Sequence, residues 1–431
     1  MIFSFVIKNV IKFCRFVQQF RKRAFMNPSS KNITLLLLLF FFSFNIIHAQ
    51  NKDTLTWKVI YPKDIKVGAE RTELYFPLLK NKRIAVVANQ TSMIGITHLV
   101  DSLLNAGFKV KKIMCPEHGF RGTADAGENI INNKDSKTGL SIISLYGTHL
   151  KPQPADLKDI DIVIFDIQDV GVRFYTYIST MHYVMESCAE NKIQLIVLDR
   201  PNPNGYYVDG PVMKKELTSY VGMHQVPVVH GMTIAEYAQM INEEGWLKGG
   251  IKCKLTCIPV EGYKHTYFYQ LPIKPSPNLP DMKSVYLYPS IGLFESTVIS
   301  VGRGTDKPFQ IFGHPNLKNY TFSFVPKSKP GAKQPLYEGK TCYGMDLSII
   351  PDSLIRSYKQ ISLVFLKEAY KNFPQQELFF NAFFPKLTGS TILKQQIIQN
   401  KDEKEIHESW QADLIKFKKI RKKYLLYPDF E

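Results

Sequence analysis

Beyond its first 49 residues, the 431-residue chain has no apolar run that approaches the roughly 18 residues needed to cross a membrane. A protein spanning the bilayer through helices in its main body is therefore excluded. No G-x-G-x-x-G follows the first strand-like run, since Asn89-Gln90-Thr91-Ser92-Met93-Ile94-Gly95 holds a single glycine, and this argues against a nicotinamide dinucleotide. A G-x-S-x-G elbow and a zinc triad are also missing, which counts against an esterase or amidase. His118, His182, His224 and His230 lack zinc-type spacing, and nothing resembles a zinc finger or helix-turn-helix. No metal, cofactor or nucleic-acid partner is expected. Cysteine is sparse: besides Cys14, only Cys115, Cys188, Cys253, Cys257 and Cys342 occur, an odd set that argues against a full disulfide framework. Cys253 and Cys257 lie four apart in the alternating stretch 251–258, on one face of an expected strand.

Acidic residues are absent from the first 49 positions, which carry seven of the 55 Lys and Arg. Residues 35–42 form an unbroken apolar run, extended by Phe44, Ile46 and Ile47 and followed by the small-residue site Ile47-His48-Ala49. This is the pattern of a signal peptide, 1–49, cleaved after Ala49. Met26 is an alternative start, because residues 26–49 already make a complete export signal. The expected location is periplasmic or extracellular, with no stable membrane span after cleavage. Removing the segment leaves 48 Lys and Arg against 38 Asp and Glu, a formal +10. An exported protein of that charge meets cell-envelope polyanions or acidic sugars rather than nucleic acid.

What the remaining sequence holds is an alternation of strands and helices. Apolar runs at 84–88, 110–114, 162–167 and 195–198 read as strands, and 99–106, 178–190 and 233–244 as helices between or after them. Such a βαβ succession implies an α/β fold, a doubly wound, Rossmann-like parallel sheet with helices on both faces. A hydrophobic fraction of 45% excludes disorder, and the length favours two domains. The stretch Lys274-Pro275-Ser276-Pro277-Asn278-Leu279-Pro280 is read as a linker that also lines the site. It divides a Rossmann-like catalytic domain, 68–273, from a smaller α+β domain, 274–431, that completes the cleft. Near the end, residues 389–398 are expected to run on into a helix whose stripe is Ile406, Trp410, Leu414 and Phe417.

Each strand-like run ends in polar residues: Asn89-Gln90-Thr91, Pro116-Glu117-His118-Gly119-Phe120-Arg121-Gly122, Gln168-Asp169 and Asp199-Arg200-Pro201-Asn202. Ligands of open α/β sheets bind at the carboxyl ends of strands, so these four ends are expected to share one crevice, with Glu117 as first candidate acid. A second cluster surrounds Glu295, where Gly302-Arg303-Gly304 would let the backbone approach a ligand while Arg303 offers a planar fork to a carboxylate. The competing reading of that Arg is an ordinary turn paired to Asp306. A third cluster, from Asp166 to Tyr177, mixes Gln168, Asp169, Arg173 and Tyr175, polar and aromatic groups that suit a sugar.

Taken together with Gly127-Glu128, Leu145-Tyr146-Gly147, His230-Gly231-Met232-Thr233 and the proline segment, these ordered motifs resemble the exo-β-N-acetylmuramidases of the NamZ type, long described as a domain of unknown function. The likeness runs from about Gly68 to Tyr427. One departure is Glu295-Ser296-Thr297 in place of Glu-Gly-Thr. The resemblance implies a glycosidase that releases N-acetylmuramic acid from the non-reducing end of peptidoglycan fragments, with a motif acid at Glu117 and a second glutamate at Glu295.

Glycoside hydrolysis needs one carboxyl that gives a proton and one that acts as base or nucleophile. Glu117 and Glu295 are the expected pair, with their individual roles open; apolar neighbours alone would make Glu295 the acid. The lactyl carboxylate of muramic acid calls for a cation, Arg173 or Arg303. Asn89, His118, Arg121, Glu128, Gln168, Asp169, Tyr175, Asn202 and His230 complete the expected substrate-binding set, with Glu128 and Asp199 as reserve acids. A non-catalytic exported muropeptide- or sugar-binding protein is the alternative from another class.

Overall fold

The computed structural model describes residues 57–117, 119–120 and 133–431. The expected signal peptide, His118, Arg121 and Glu128 lie outside the described residues. The described strands are β1 (Lys58–Ile60), β2 (Arg83–Ala88), β3 (Met93–Ile94), β4 (Thr97–His98), β5 (Lys109–Cys115), β6 (Asn133–Lys134), β7 (Ser141–Ser144), β8 (Ile162–Asp166), β9 (Gln194–Leu198), β10 (Leu255–Ile258), β11 (Tyr267–Tyr269), β12 (Ile311–His314), β13 (Phe322–Phe324) and β14 (Cys342–Asp346). The α-helices are α1 (Thr72–Leu79), α2 (Leu99–Asn105), α3 (Pro154–Leu157), α4 (Tyr177–Glu190), α5 (Ile234–Glu243), α6 (Met282–Ile291), α7 (Asp352–Tyr358), α8 (Val364–Asn372), α9 (Phe384–Thr388), α10 (Leu393–Ile398), α11 (Glu403–Glu408) and α12 (Gln411–Arg421).

Seven strands form the central sheet in the order β10-β9-β8-β2-β5-β7-β6. All pairings are parallel except the edge pair β6 and β7. The chain winds outward from β2 through β5 to β7, then returns to build β8, β9 and β10 on the other side. This is the doubly wound arrangement expected, with its switch point between β2 and β8. β8 is buried along its whole length and β2 at every residue but Arg83, because helices cover both faces and a run of Val, Ile and Ala tolerates no water on either. The helix α5 starts on Thr233, whose hydroxyl accepts from Glu236 N while the Glu236 carboxylate accepts from Thr233 N, a reciprocal cap that fixes its first turn.

After the proline segment the chain forms α6 and a three-stranded antiparallel sheet, β12-β14-β13. The terminal stripe is core, as its spacing predicts: Ile406, Trp410, Leu414 and Phe417 are all buried. Its helices differ from the expected continuous run. Gly389 has φ of 72° and terminates α9, because a left-handed glycine satisfies the last carbonyls of a helix instead of opening one; α10, α11 and α12 then follow as separate pieces. Cys253 precedes β10 rather than lying in it, held by a bond from its N–H to Asn242 Oδ1 at 2.8 Å.

The chain end returns to the first sheet. Tyr427 Oη donates to Asp199 Oδ2 at 2.5 Å and accepts from Val260 N at 2.8 Å, and Arg421 donates to Gly231 O while pairing with Asp429. Residues from Lys58 to Glu431 thereby form one compact unit.

Candidate active site

Glu117 lies two residues past the carboxyl end of β5, in a turn closed by Gly119 N donating to Pro116 O at 3.1 Å. On the neighbouring strand, Leu145 N donates to Cys115 O at 2.8 Å. That bond draws Tyr146, just beyond β7, to the same end of the sheet. Both line a cavity of about 220 Å³. Phe174, Tyr175, Thr176 and Tyr177, at the start of α4, form a second wall; Tyr220 and Val221 form a third. Ser276, Asn278 and Leu279 from the proline segment close a further side, so its expected place beside the site is the observed one. Tyr175 Oη and Gln90 Nε2 both donate to Pro275 O, at 2.8 and 3.1 Å, which ties the segment to the sheet.

The remaining wall is Tyr288 on α6, Glu295, Arg303 and Phe309. The two glutamates of the expected pair therefore border one cavity. Edge-to-face contacts run without a break from Tyr177 through Tyr175 and Tyr288 to Phe309, with ring centroids 4.7, 6.1 and 4.9 Å apart. Aromatic faces of this kind suit the C–H faces of a sugar, while their hydroxyls, where present, offer polar contacts. Glu295 sits in the turn Gly292–Ser296, where Ser296 is buried and its hydroxyl donates to Leu293 O at 3.0 Å. Serine at the departure from Glu-Gly-Thr is thus internally satisfied and leaves the carboxylate in place.

Arg303 settles a choice the sequence left open. Its Nε and Nη2 donate to Glu295 Oε1 at 3.1 and 2.7 Å, and its guanidinium carbon lies 5.0 Å from the centre of the Phe309 ring. Asp306, the rival partner, pairs instead with Lys329. Gly302 and Gly304 have φ of 78° and 79°. A side chain on either would strike Ile311 or Lys327 O, so the turn that presents Arg303 requires both glycines. Burial opposes the charge of Arg303, yet attraction to Glu295 outweighs it and raises its pKa further. Glu295 accordingly does not sit among apolar neighbours alone, contrary to the environment its sequence predicts.

Most of the other expected substrate-binding residues are near the crevice but do not line the cavity. Arg173 is fully buried and donates to the carbonyls of Pro211, Val226 and Leu387 at 2.8, 2.7 and 3.1 Å. Three backbone acceptors use its fork, and desolvation pulls its pKa down to about 9; the geometry removes it as a partner for a ligand carboxylate in this cavity. Asn89 Oδ1 accepts from Thr91 N and Thr91 Oγ1, at 2.9 and 2.6 Å. Gln168 Nε2 donates to Asp169 O and Pro201 O at 2.8 and 2.7 Å. Asn202 bridges Met232 O and Asn204 N at 2.8 Å each. His230 Nδ1 accepts from Met232 N at 3.2 Å, and burial, with Arg421 and Arg173 nearby, lowers its pKa to about 3. These bonds stitch strand ends together, while Asn89 Nδ2 and His230 Nε2 are buried without a hydrogen-bond partner.

Asp169 is intermediate. Its Oδ1 accepts from Gly171 N at 2.6 Å, while Oδ2 is buried with no hydrogen-bond partner. Desolvation raises its pKa to about 7, and its charge acts on Tyr175, Tyr177 and Tyr288 from behind the cavity wall. Asp199, the reserve acid, is saturated by Thr233 Oγ1, Ala235 N and Tyr427 Oη. Of the expected set, Glu117, Tyr175, Glu295 and Arg303 line the cavity. Tyr146, Ser276, Asn278 and Leu279 were visible in the sequence as parts of ordered motifs. Tyr288 carried no signal because an aromatic residue in an apolar stretch reads as core, and Tyr220 and Phe309 carried none because each lies outside the ordered motifs.

Comparison with known proteins adds an independent line. The model of a family described as exo-β-N-acetylmuramidase NamZ, N-terminal, matches residues 84–283, and its C-terminal counterpart matches 286–427. The chain is 38% identical over 378 residues to the peptidoglycan β-N-acetylmuramidase NamZ of Bacillus subtilis, across 82% of this chain and 89% of that protein. Two solved DUF1343 family proteins of Bacteroides fragilis share the fold. One superposes with a TM-score of 0.80 at 49% identity, over 85% of this chain and 99% of its own. The other gives 0.69 at 29%, over 84% and 99%.

Proposed function

Because the chain belongs to the NamZ family of exo-β-N-acetylmuramidases, we propose that its cavity takes the terminal N-acetylmuramic acid of a peptidoglycan fragment and that Glu117 and Glu295 cleave the bond behind it. The observation that carries this reading is the meeting of two carboxyl side chains, 178 positions apart, on one small aromatic-lined cavity. At about 220 Å³, that cavity lies below the roughly 300–1,000 Å³ of sites for drug-sized ligands. It fits a single terminal sugar better than a through-running glycan, which supports exo-action from the non-reducing end.

The two carboxyls have different surroundings. Glu295, in an ion pair with Arg303, is the charged partner that faces the anomeric centre as base or nucleophile. Glu117, across the cavity from that ion pair, is then the acid that protonates the leaving oxygen. Arg303 is the only cationic residue among those described as lining the cavity. Its Nε and Nη2 serve Glu295, and Nη1 is left to meet the lactyl carboxylate of the substrate. The apolar run at 35–42 with the small-residue site at 47–49 supports export, and N-terminal sequencing of the mature protein checks it by reading Gln50 first.

The decisive measurement compares para-nitrophenyl β-N-acetylmuramide with the matching glucosaminide. Turnover of the muramide at least about a hundredfold faster is expected, since a site built to pair a carboxylate leaves its cation unmatched when that group is missing. Binding without turnover would make the protein a muropeptide receptor instead. Equal rates on both sugars would remove Arg303 as the discriminating residue.

A further inference from the structure

We infer that Asn278 is a specificity-determining residue, its Oδ1 accepting the N–H of the acetamido group on the terminal sugar while Leu279 meets the acetyl methyl. This rests on the reading of the cavity as a site for N-acetylmuramic acid. Asn278 and Leu279 are buried members of the proline segment, and both line the cavity. A tight turn brings them there. Leu279 N donates to Ser276 O at 3.1 Å and Asn278 N to Ser276 Oγ at 3.2 Å, with Pro277 at the second position, where its fixed φ suits the turn.

A second turn fixes the amide. Lys329 N donates to Ala332 O at 3.1 Å, and Ala332 N to Lys329 O at 2.9 Å. Between them Gly331 has φ of 87°, and it lies so close to Pro277 that a Cβ on it would strike the proline Cβ. Its carbonyl accepts from Asn278 Nδ2 at 2.7 Å. A carbonyl only accepts, so the nitrogen end of the amide must face it; the reversed amide would set two oxygens against each other. Gly331 is not among the described residues that line the cavity, so this bond turns Nδ2 toward the neighbouring turn. The amide is planar, and its oxygen takes the other corner, where no described group donates to it.

The chemistry of the wall selects the group that this oxygen takes. Sugar hydroxyls both give and accept, and hydroxyls such as those of Thr176, Tyr177 and Tyr288 on the wall can serve them in either role. An acetamide N–H only donates. Among the described lining side chains, the atoms that only accept are the carboxylate oxygens of Glu117 and Glu295 and Oδ1 of Asn278. The two carboxyls are used in cleaving the bond, which leaves the asparagine oxygen as the neutral acceptor. In a trans amide the N–H lies on the same side as the methyl, so two consecutive residues, one with an acceptor and one with an aliphatic side chain, meet both. Selection at carbon 2 of the sugar follows, separate from the pairing of the lactyl carboxylate with Arg303.

The test uses the mature enzyme and two para-nitrophenyl β-muramides that differ at one atom. One carries the 2-acetamido group and the other a 2-acetoxy group, in which an ester oxygen replaces the N–H. Asn278→Ala removes the acceptor and should reduce the amide-to-ester ratio of kcat/KM about ten- to a hundredfold from the parent's value, as for a hydrogen bond lost in a desolvated site. Any intrinsic difference in reactivity between the two substrates cancels in that comparison. Asn278→Ser is the second variant: serine suits the turn, but its side chain is too short to place an oxygen where Oδ1 stands, and the ratio should fall in the same way. A residue that only held the turn would slow both substrates alike, so a ratio within about twofold of the parent's in either variant, whatever its rates, overturns the inference. A parent enzyme inactive on both muramides overturns the proposed function and this inference with it, whereas a parent that cleaves the amide beside variants with an unchanged ratio overturns this inference alone.

Discussion

The strand-end framework and the cavity wall differ in what their polar side chains are bonded to. In the framework, Asp166 receives Arg200 Nε and Nη2 at 2.6 and 2.9 Å, Gln168 reaches Pro201, Asn202 reaches Met232, and Asp199 is filled by three donors. In the wall, Glu295 is held through Oε1 by Arg303, and Glu117 meets a hydroxyl at Oε2. Buried polar groups must find partners within the protein, and Asp166, Gln168, Asn202 and Asp199 have found theirs in neighbouring side chains and backbone. Glu117, Glu295 and Arg303 instead border the cavity, where a substrate can meet them. Polarity at a strand end therefore does not identify a binding residue; remaining hydrogen-bonding capacity facing a cavity does.

The largest effect should come from the wall. Glu117→Gln keeps the shape but can neither give nor take a proton, so turnover should drop by about 10³-fold or more while sugar binding by calorimetry stays nearly intact. Glu295→Gln should cost at least about a hundredfold. A Glu295 variant with normal rates would place it on the framework side of the comparison.

A framework substitution should act on stability before it acts on chemistry. Arg200 and Asp166 are 5% and 0% exposed, so Arg200→Met leaves a buried carboxylate without its partner and should cost about 3–5 kcal/mol in urea unfolding. A fully stable variant with impaired kcat would show that Arg200 belongs with the wall.

The smallest effect is a pH dependence of stability. His230 has its pKa lowered to about 3 from an ordinary 6.5, so on acidification the unfolded chain binds the proton first. Stability is complete above about pH 6.5 and falls as the pH drops toward 3. Asp169 works in the opposite sense: its pKa is raised to about 7 from 3.8, the folded state binds the proton first, and stability declines as the pH rises from about 4 to 7. Thermal melts between pH 4.5 and 7.5 should show a shallower acid-side loss in His230→Gln and a shallower loss on the rising-pH side in Asp169→Asn. Parallel curves for parent and variants would mean that neither group is desolvated as the fold requires.

Much of the fold was legible in the chain. The runs at 84–88, 110–114, 162–167 and 195–198 are central strands because β-branched and aliphatic residues without polar interruption can only be buried on both faces. Glu117 was legible because Pro and Gly around it mark a strand end. Arg173 misled because a buried guanidinium on backbone carbonyls looks the same in sequence as one waiting for a ligand. Gly389 misled because a glycine that ends one helix also precedes the next.

By itself the sequence determined the local rules: strand and helix periods, the turn that needs Gly302 and Gly304, and the ordered motifs that place the chain among exo-β-N-acetylmuramidases. Only the tertiary structure decided which polar groups are satisfied and which face the cavity. Bonds such as Arg303 to Glu295, Tyr427 to Asp199 and Thr176 to Glu117 depend on how separate segments approach, at 8, 228 and 59 positions apart. Hydrogen-bond satisfaction is a property of three-dimensional neighbours, and no periodicity along the chain encodes it.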